Sequence, residues 1–200
     1  MYFKNEPLYS LTVKMLQSIA EVIPNEIYHI FNPENYMRRC VDSLLVGGED
    51  VEILIIDDGS SDRTGAIADE YEMLYPNIVK AVHKPNGGHG SGVNKGLELA
   101  HGLYYKVVDS DDWFDRDAYL KMLDKIKSFE VAQFPDLIIC NYVYDHLDEG
   151  IQKPMNYRNV FPTEKMCNWN TIGHFHPSQY LIMHALMFQT KVLRQSGVKL

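Results

Sequence analysis

The sequence lacks the features that would place it in a membrane, on a nucleic acid or in an oxidising compartment. It has no apolar run near the roughly 18 residues that cross a bilayer and no compact signal-peptide core. Its three cysteines, Cys40, Cys140 and Cys167, include no CxxC pair, which excludes the common zinc and redox motifs. With 19 Lys and Arg against 27 Asp and Glu, the net charge is -8, which argues against nucleic acid as a partner. We therefore expect a cytoplasmic protein, with peripheral attachment to a membrane left open.

Apolar periodicity divides the 200 residues into three parts. Residues 1–25 have apolar positions near helical spacing and are predicted to form a helical extension. Residues 26–146 alternate short apolar runs with helical patterns, which is typical of an α/β fold with a mostly parallel central sheet and helices on both faces. Residues 147–200 are more polar, with a further helix predicted at 178–188. Strands are predicted at 26–31, 51–56, 78–82, 104–108 and 137–140, and helices at 33–44, 62–75, 91–102 and 116–129.

Acidic residues follow two of the predicted strands. Asp57 and Asp58 come directly after one strand, and Asp109, Asp111 and Asp112 follow another. Because ligands of open parallel sheets bind at the carboxyl ends of the strands, we expect these carboxylates to line one crevice. Clustered like charges repel and resist desolvation, so a divalent cation between them is the simplest explanation, and carboxylates suit Mn²⁺ or Mg²⁺. The alternative is that each acidic run only caps the helix after it.

A glycine-rich segment follows the strand predicted at 78–82. It contains Asn86-Gly87-Gly88 between Lys84 and His89, and glycines let backbone amides approach a ligand closely. The segment matches neither a dinucleotide fingerprint nor a P-loop, because Val93 stands where either motif needs another residue. A turn without ligand contacts is the alternative.

Taken in chain order, these segments resemble family 2 glycosyltransferases of the GT-A fold, a Rossmann-like α/β architecture. The resemblance covers roughly residues 32–125. It is carried by Arg39-Cys40-Val41-Asp42-Ser43-Leu44-Leu45, Ile55-Ile56-Asp57-Asp58-Gly59-Ser60-Ser61-Asp62, Asn86-Gly87-Gly88, Asn94-Lys95-Gly96 and Val108-Asp109-Ser110-Asp111-Asp112.

The resemblance implies transfer of a sugar from a nucleotide diphosphate sugar, with a UDP-sugar expected, to a glycan or lipid-linked acceptor in cell-wall or exopolysaccharide synthesis. It implies inversion at the transferred carbon and dependence on Mn²⁺ or Mg²⁺. By the resemblance, Asp57 and Asp58 would contact the uracil and ribose, and Asp109 would lie near the ribose. The metal would be held by the acidic run that contains Asp109, Asp111 and Asp112. Lys84 and Asn94 would lie on the diphosphate or sugar side.

Two departures from the family pattern bear on these expectations. The Pro-x-Tyr-Asn element that ends the family's first strand is reduced to Asn32. We therefore do not expect this element to bind the nucleotide base. The family's catalytic Asp would follow residue 200, so this chain is expected to bind the donor without supplying the base. A non-catalytic binding or scaffold module of the same fold therefore stays open. A haloacid-dehalogenase-type phosphotransferase is discounted because Trp113 stands where that motif needs Thr or Val.

Three histidines late in the chain raise the question of a zinc site. The spacing of His174, His176 and His184 matches no common set of zinc ligands. His184 lies in an apolar segment, and it is predicted to be a histidine of the core rather than a ligand.

Overall fold

The computed structural model of the protein describes residues 2–3, 15–21, 33–129, 134–146, 150–162 and 166–200. The strands are β1 (Tyr2–Phe3), β2 (Met15–Glu21), β3 (Val51–Asp57), β4 (Val79–His83), β5 (Tyr104–Val108), β6 (Trp113–Phe114), β7 (Leu137–Ile139), β8 (Tyr142–His146), β9 (Ile151–Met155) and β10 (Leu186–Gln189). The helices are α1 (Pro33–Leu45), α2 (Thr64–Leu74), α3 (His89–Leu99), α4 (Arg116–Lys127) and α5 (Thr190–Ser196).

A six-stranded sheet in the order β4-β3-β2-β5-β10-β7 forms the centre of the molecule. The first four of these strands are parallel to one another, whereas β10 runs antiparallel to both of its neighbours. A smaller sheet has the order β6-β1-β8-β9. Because β3, β4 and β5 run in one direction, the residues that follow them lie at the same edge of the large sheet.

Helices cover both faces of the large sheet because its strands are apolar on both sides. Along β3, Ile53 and Ile55 belong to one buried cluster, whereas Leu54 and Ile56 belong to another. This two-residue alternation is the side-chain period of a strand. The first cluster includes side chains of α1, α2 and α4, and the second includes side chains of α3 and α5. The predicted α/β class, with a mostly parallel sheet between helices, is confirmed.

The prediction of a helix over residues 1–25 is wrong for residues 2–3, which form β1, and for residues 15–21, which form β2. The strand β2 pairs along its whole length with β3 and over most of it with β5. Backbone pairing with two neighbours therefore outweighs the helical spacing of apolar residues in this segment. The strand predicted at 26–31 lies outside the described residues. The division of the chain into parts at 25 and 146 stays a prediction.

The helix predicted at 178–188 is also wrong. This segment contains a short 3-10 turn at Met183–Ala185 and then β10. The apolar run from Leu186 to Phe188 is too short for a stable helix, and instead it fills the gap between β5 and β7. This insertion brings a late part of the chain to the edge of the sheet where β5 ends. Among the described residues, no helix is long and apolar enough to cross a bilayer.

Candidate functional site

Asp57 ends β3 and is held by groups of the protein itself. One carboxylate oxygen accepts a hydrogen bond from the Ser60 amide at 2.9 Å, and the other lies 2.8 Å from Nδ1 of His83. Nε2 of His83 lies 2.9 Å from a carboxylate oxygen of Asp69. Burial acts to raise the pKa of Asp57, but the hydrogen bonds from His83 and Ser60 bring it below its ordinary value. The same bonds to Asp57 and Asp69 raise the pKa of His83.

Asp58 ties the end of β3 to the loop after β4. Its carboxylate is buried and accepts hydrogen bonds from the amides of Gly87 at 3.1 Å and Gly88 at 2.8 Å. The ammonium group of Lys84 pairs with the same carboxylate. Gly88 has φ of 82°, a conformation that favours glycine. Asp58 therefore shapes the glycine loop, and its predicted contact with a nucleotide stays a prediction.

Lys84 and Asn94 line one cavity. The cavity has a volume of about 500 Å³ and lies between α3 and α5. Lys95 and Arg194 also line it, which gives an acidic protein a locally cationic recess. The side-chain oxygen of Asn94 accepts a hydrogen bond from the Leu200 amide at 3.2 Å. The assignment of Lys84 and Asn94 to the donor stays a prediction.

Three potential metal ligands meet where β5 ends. One ligand atom each from Asp109, Asp112 and His184 lies within 4.8 Å of the other two. Nε2 of His184 is 3.0 Å from one carboxylate oxygen of Asp109, and Nε2 of His89 is 3.6 Å from the other. The Asp112 amide donates to the Asp109 carbonyl at 3.0 Å, which closes the turn that presents both carboxylates. We call Asp109, Asp112 and His184 the acidic–histidine group.

The charges of the acidic–histidine group depend on burial and on each other. Burial acts to raise the pKa of Asp109, but hydrogen bonding to His184 brings it below its ordinary value. Burial acts to lower the pKa of His184, but the hydrogen bond to Asp109 raises it overall. Burial raises the pKa of Asp112 to about 6. The group therefore combines an ionised carboxylate with a carboxyl group that titrates near neutral pH.

This donor set suits a divalent cation. Two carboxylates and an imidazole are ligands that Mn²⁺ accepts, and Mg²⁺ accepts the carboxylates. Nδ1 of His184 is buried without a hydrogen-bond partner among the described residues. A buried polar nitrogen in that state is uncommon in proteins, and a bound cation would occupy one nitrogen of the ring. The residues therefore fit a metal.

The acidic–histidine group differs from the predicted metal ligands at two positions. Asp109 and Asp112 belong to it, whereas Asp111 is exposed and lies outside it. His184 was predicted to be a core histidine, yet its side chain is only partly buried and bonds to Asp109. A signal for His184 was present in the sequence, namely the short apolar run after it. That run forms β10, which pairs with β5 and brings the histidine beside it.

Lys106 positions the turn that carries His184. It lies within β5, its side chain is buried, and its ammonium group donates to the His184 carbonyl oxygen. The centroid of the Phe114 ring lies 5.7 Å from the ammonium nitrogen. Burial lowers the pKa of Lys106. A buried lysine is costly unless it forms such contacts. The sequence pattern did not indicate this residue, because it occupies an otherwise apolar strand.

Comparisons with known proteins point to one family. The sequence profile described as glycosyl transferase family 2 matches residues 27–188. EpsH of Bacillus subtilis is 38% identical over 122 residues, covering 60% of this chain and 34% of EpsH. The glycosyltransferase GlyA of Streptococcus pneumoniae is 32% identical over 126 residues, covering 62% of this chain and 17% of GlyA.

The mannosyltransferase PcManGT of Pyrobaculum calidifontis, in complex with GDP-Man and Mn²⁺, aligns with a TM-score of 0.46 at 17% identity, covering 60% of this chain and 35% of that one. The chain thus spans only part of the curated relatives that it matches, 34% of EpsH and 17% of GlyA.

Proposed function

We propose a donor-binding role for this chain, which belongs to glycosyl transferase family 2. In that role it binds a nucleotide diphosphate sugar, a UDP-sugar in the first instance, at the carboxyl edge of its parallel strands. The sugar then passes, with inversion, to a glycan or lipid-linked acceptor. We place the protein in the cytoplasm, where the thiols of Cys40, Cys140 and Cys167 would stay reduced.

The acidic–histidine group is the observation that carries the proposal. Asp109, Asp112 and His184 would hold Mn²⁺ or Mg²⁺ at the end of β5. Such an ion supplies positive charge to the diphosphate that leaves. Asp57 ends β3 and Asp58 follows it, and β3 is separated from β5 in the sheet only by β2. Neighbouring strands are about 4.8 Å apart, so one nucleotide diphosphate is long enough to reach from β3 to β5.

The other residues of this edge prepare the site without needing an ion. Asp58 and Lys84 hold the loop that contains Gly87 and Gly88 against the end of β3. Lys106 fixes the backbone at His184. A site whose parts are already in place loses less conformational freedom when the donor binds. We therefore expect donor binding to change the structure of this edge little.

Calorimetry of UDP binding with and without Mn²⁺ tests the proposal. We expect UDP to bind much more tightly when Mn²⁺ is present. Asp109→Asn and His184→Gln should each weaken the Mn²⁺-dependent binding by about tenfold or more, the scale seen when metal sites lose a supporting group.

Matched controls separate the site from a general effect of charge. Asp124 is exposed on α4, and His174 is exposed in the segment before β10. Asp124→Asn and His174→Gln should bind UDP and Mn²⁺ like the unchanged protein. Equal binding of UDP with and without Mn²⁺ would refute the metal-dependent proposal.

A further inference from the structure

An uncharged segment precedes and includes β10. Residues 166–190 contain no Asp, Glu, Lys or Arg, although such residues make up 23% of the chain. The segment instead carries aromatic, amide and imidazole side chains. Trp169 is 63% exposed, Tyr180 is 54% exposed and Phe175 is 37% exposed. We call these three residues the aromatic platform.

Buried aromatic rings pack beneath the aromatic platform. Phe161 is buried and contacts Trp169 and Phe175 edge-on, with ring centroids 6.4 and 5.9 Å apart. Tyr157 is fully buried and contacts Phe175 in the same way at 6.4 Å. The Tyr157 hydroxyl also donates to the Tyr180 carbonyl oxygen at 2.8 Å. The rings of Trp169 and Phe175 are therefore supported by buried rings, and they lose less side-chain entropy when they bind a partner.

Amide groups hold the backbone beneath the platform in one arrangement. The side chains of Asn159 and Gln179 exchange two hydrogen bonds, at 2.9 and 2.8 Å. The side chain of Gln179 also accepts from the His176 amide at 2.8 Å, and the side chain of Asn159 donates to the His174 carbonyl oxygen at 3.1 Å. This network orders a segment that has almost no regular secondary structure.

Tyr180 links the platform to the segment that carries His184. The hydroxyls of Tyr180 and Tyr144 lie 2.8 Å apart. Tyr144 lies in β8, and burial raises the pKa of its hydroxyl, with a smaller contribution from the Asp112 carboxylate. Tyr180 also precedes His184 by one short stretch of chain. A molecule lying on the platform would therefore reach toward the group that we propose holds the donor's metal.

We propose that Trp169, Phe175 and Tyr180 bind a neutral saccharide, which serves as the acceptor in the transfer. The naming of that saccharide as the acceptor rests on the proposed function. Sugar rings present C–H faces that suit the electron-rich faces of aromatic rings, and their hydroxyls suit nearby imidazole and amide groups. An anionic membrane would require Lys or Arg in the surface, and none lies within 166–190.

Tryptophan fluorescence tests the proposal directly. The chain has two tryptophans, and Trp113 is buried whereas Trp169 is exposed, so a change at the surface reports on Trp169. Titration with cellohexaose, maltohexaose or chitohexaose should shift its emission to shorter wavelength for at least one of the three. Hexagalacturonate, a hexasaccharide with a charge on every ring, should have no such effect.

Variants that keep Trp169 as reporter identify the platform. Phe175→Ala and Tyr180→Ala should each weaken saccharide binding by about tenfold and leave Mn²⁺-dependent UDP binding unchanged. The matched control is Tyr75→Ala, because Tyr75 is an exposed tyrosine at the end of α2. It should change neither measurement.

The outcomes separate this inference from the donor site. Three results would overturn it: no emission change at about 10 mM saccharide, a very weak limit for binding; equal weakening by Tyr180→Ala and Tyr75→Ala; or binding of anionic vesicles or hexagalacturonate as strong as that of neutral saccharides. Saccharide binding without Mn²⁺-dependent UDP binding would instead keep the platform as a saccharide site and refute the donor proposal.

Discussion

Asp58 and Asp57 show how two adjacent carboxylates take different tasks from their surroundings. Asp58 accepts from the amides of Gly87 and Gly88 and pairs with Lys84. Asp57 bonds to His83 and the Ser60 amide instead. Both carboxylates are directed at groups of the protein, so each can be tested for its structural contribution apart from any nucleotide.

Asp58→Ala should lower the free energy of unfolding by about 2–4 kcal/mol. The change removes a buried carboxylate and leaves two amides and an ammonium group without their acceptor. Urea denaturation measures the effect. Asp124→Ala, at an exposed position on α4, should stay within about 0.5 kcal/mol of the unchanged protein. Equal effects of the two substitutions would contradict this account of Asp58.

His83 should stabilise the fold in a limited range of pH. Its pKa is raised in the folded protein, so its contribution is full below the unfolded pKa of about 6.5 and is lost as pH rises through the folded value. The pKa of Asp57 is lowered, so its contribution is full above about 3.9 and is lost as pH falls through the folded value.

His83→Gln should therefore destabilise the protein more at about pH 5.5 than at about pH 8.5. We expect a difference of about 0.2–1 kcal/mol, because the side chain of His83 is half exposed and water screens the pair. Urea denaturation at the two pH values measures it. A difference of the opposite sign would show that the folded protein does not favour protonated His83.

At the level of elements, the sequence predicts correctly the helices and strands whose signals are local. It does not predict the strands whose state depends on partners far away in the chain. The strands β3, β4 and β5 and the helices α1–α4 were predicted within a few residues, because apolar periodicity and caps are local signals. The strands β2 and β10 were predicted as helix. Each of them becomes a strand because it pairs with two strands that come from other parts of the chain.

The same distinction applies to the candidate site. Asp57, Asp58 and Asp109 could be located from sequence because they follow apolar strands. His184 could not, because its contact with Asp109 requires the antiparallel pairing of β10 with β5. The exposed position of Asp111 could not be predicted either, since the turn after β5 decides which carboxylates face the group.

Two glycines in loops after β3 and β4 give a matched test of backbone geometry. Gly59 and Gly88 both have positive φ, 83° and 82°. An added Cβ at Gly88 would meet nothing, whereas at Gly59 it would lie 3.0 Å from the Asn86 amide nitrogen. Gly88→Ala should cost about 1–3 kcal/mol, from backbone strain alone. Gly59→Ala should cost more in the same denaturation experiment, and a smaller cost at Gly59 would contradict the close approach of the two loops.

At the scale of the whole molecule, ligand binding should appear as thermal stability. UDP and Mn²⁺ together, at about 100 times the dissociation constant, should stabilise the folded state by about 2.7 kcal/mol. For a chain of this size that corresponds to a rise of about 5–10 °C in the unfolding midpoint. Either ligand alone should raise it less, and Asp109→Asn should remove the joint effect. An equal rise in that variant would place the ligands elsewhere.

The insertion of β10 between β5 and β7 has a consequence for biosynthesis. While the ribosome is still making the chain, Asp109 emerges well before His184, and the parallel strands can form without β10. Until β10 docks, the nascent protein would carry two carboxylates of the acidic–histidine group and no imidazole. Under the proposed function, the complete set of three ligands would therefore form only after this last central strand is in place.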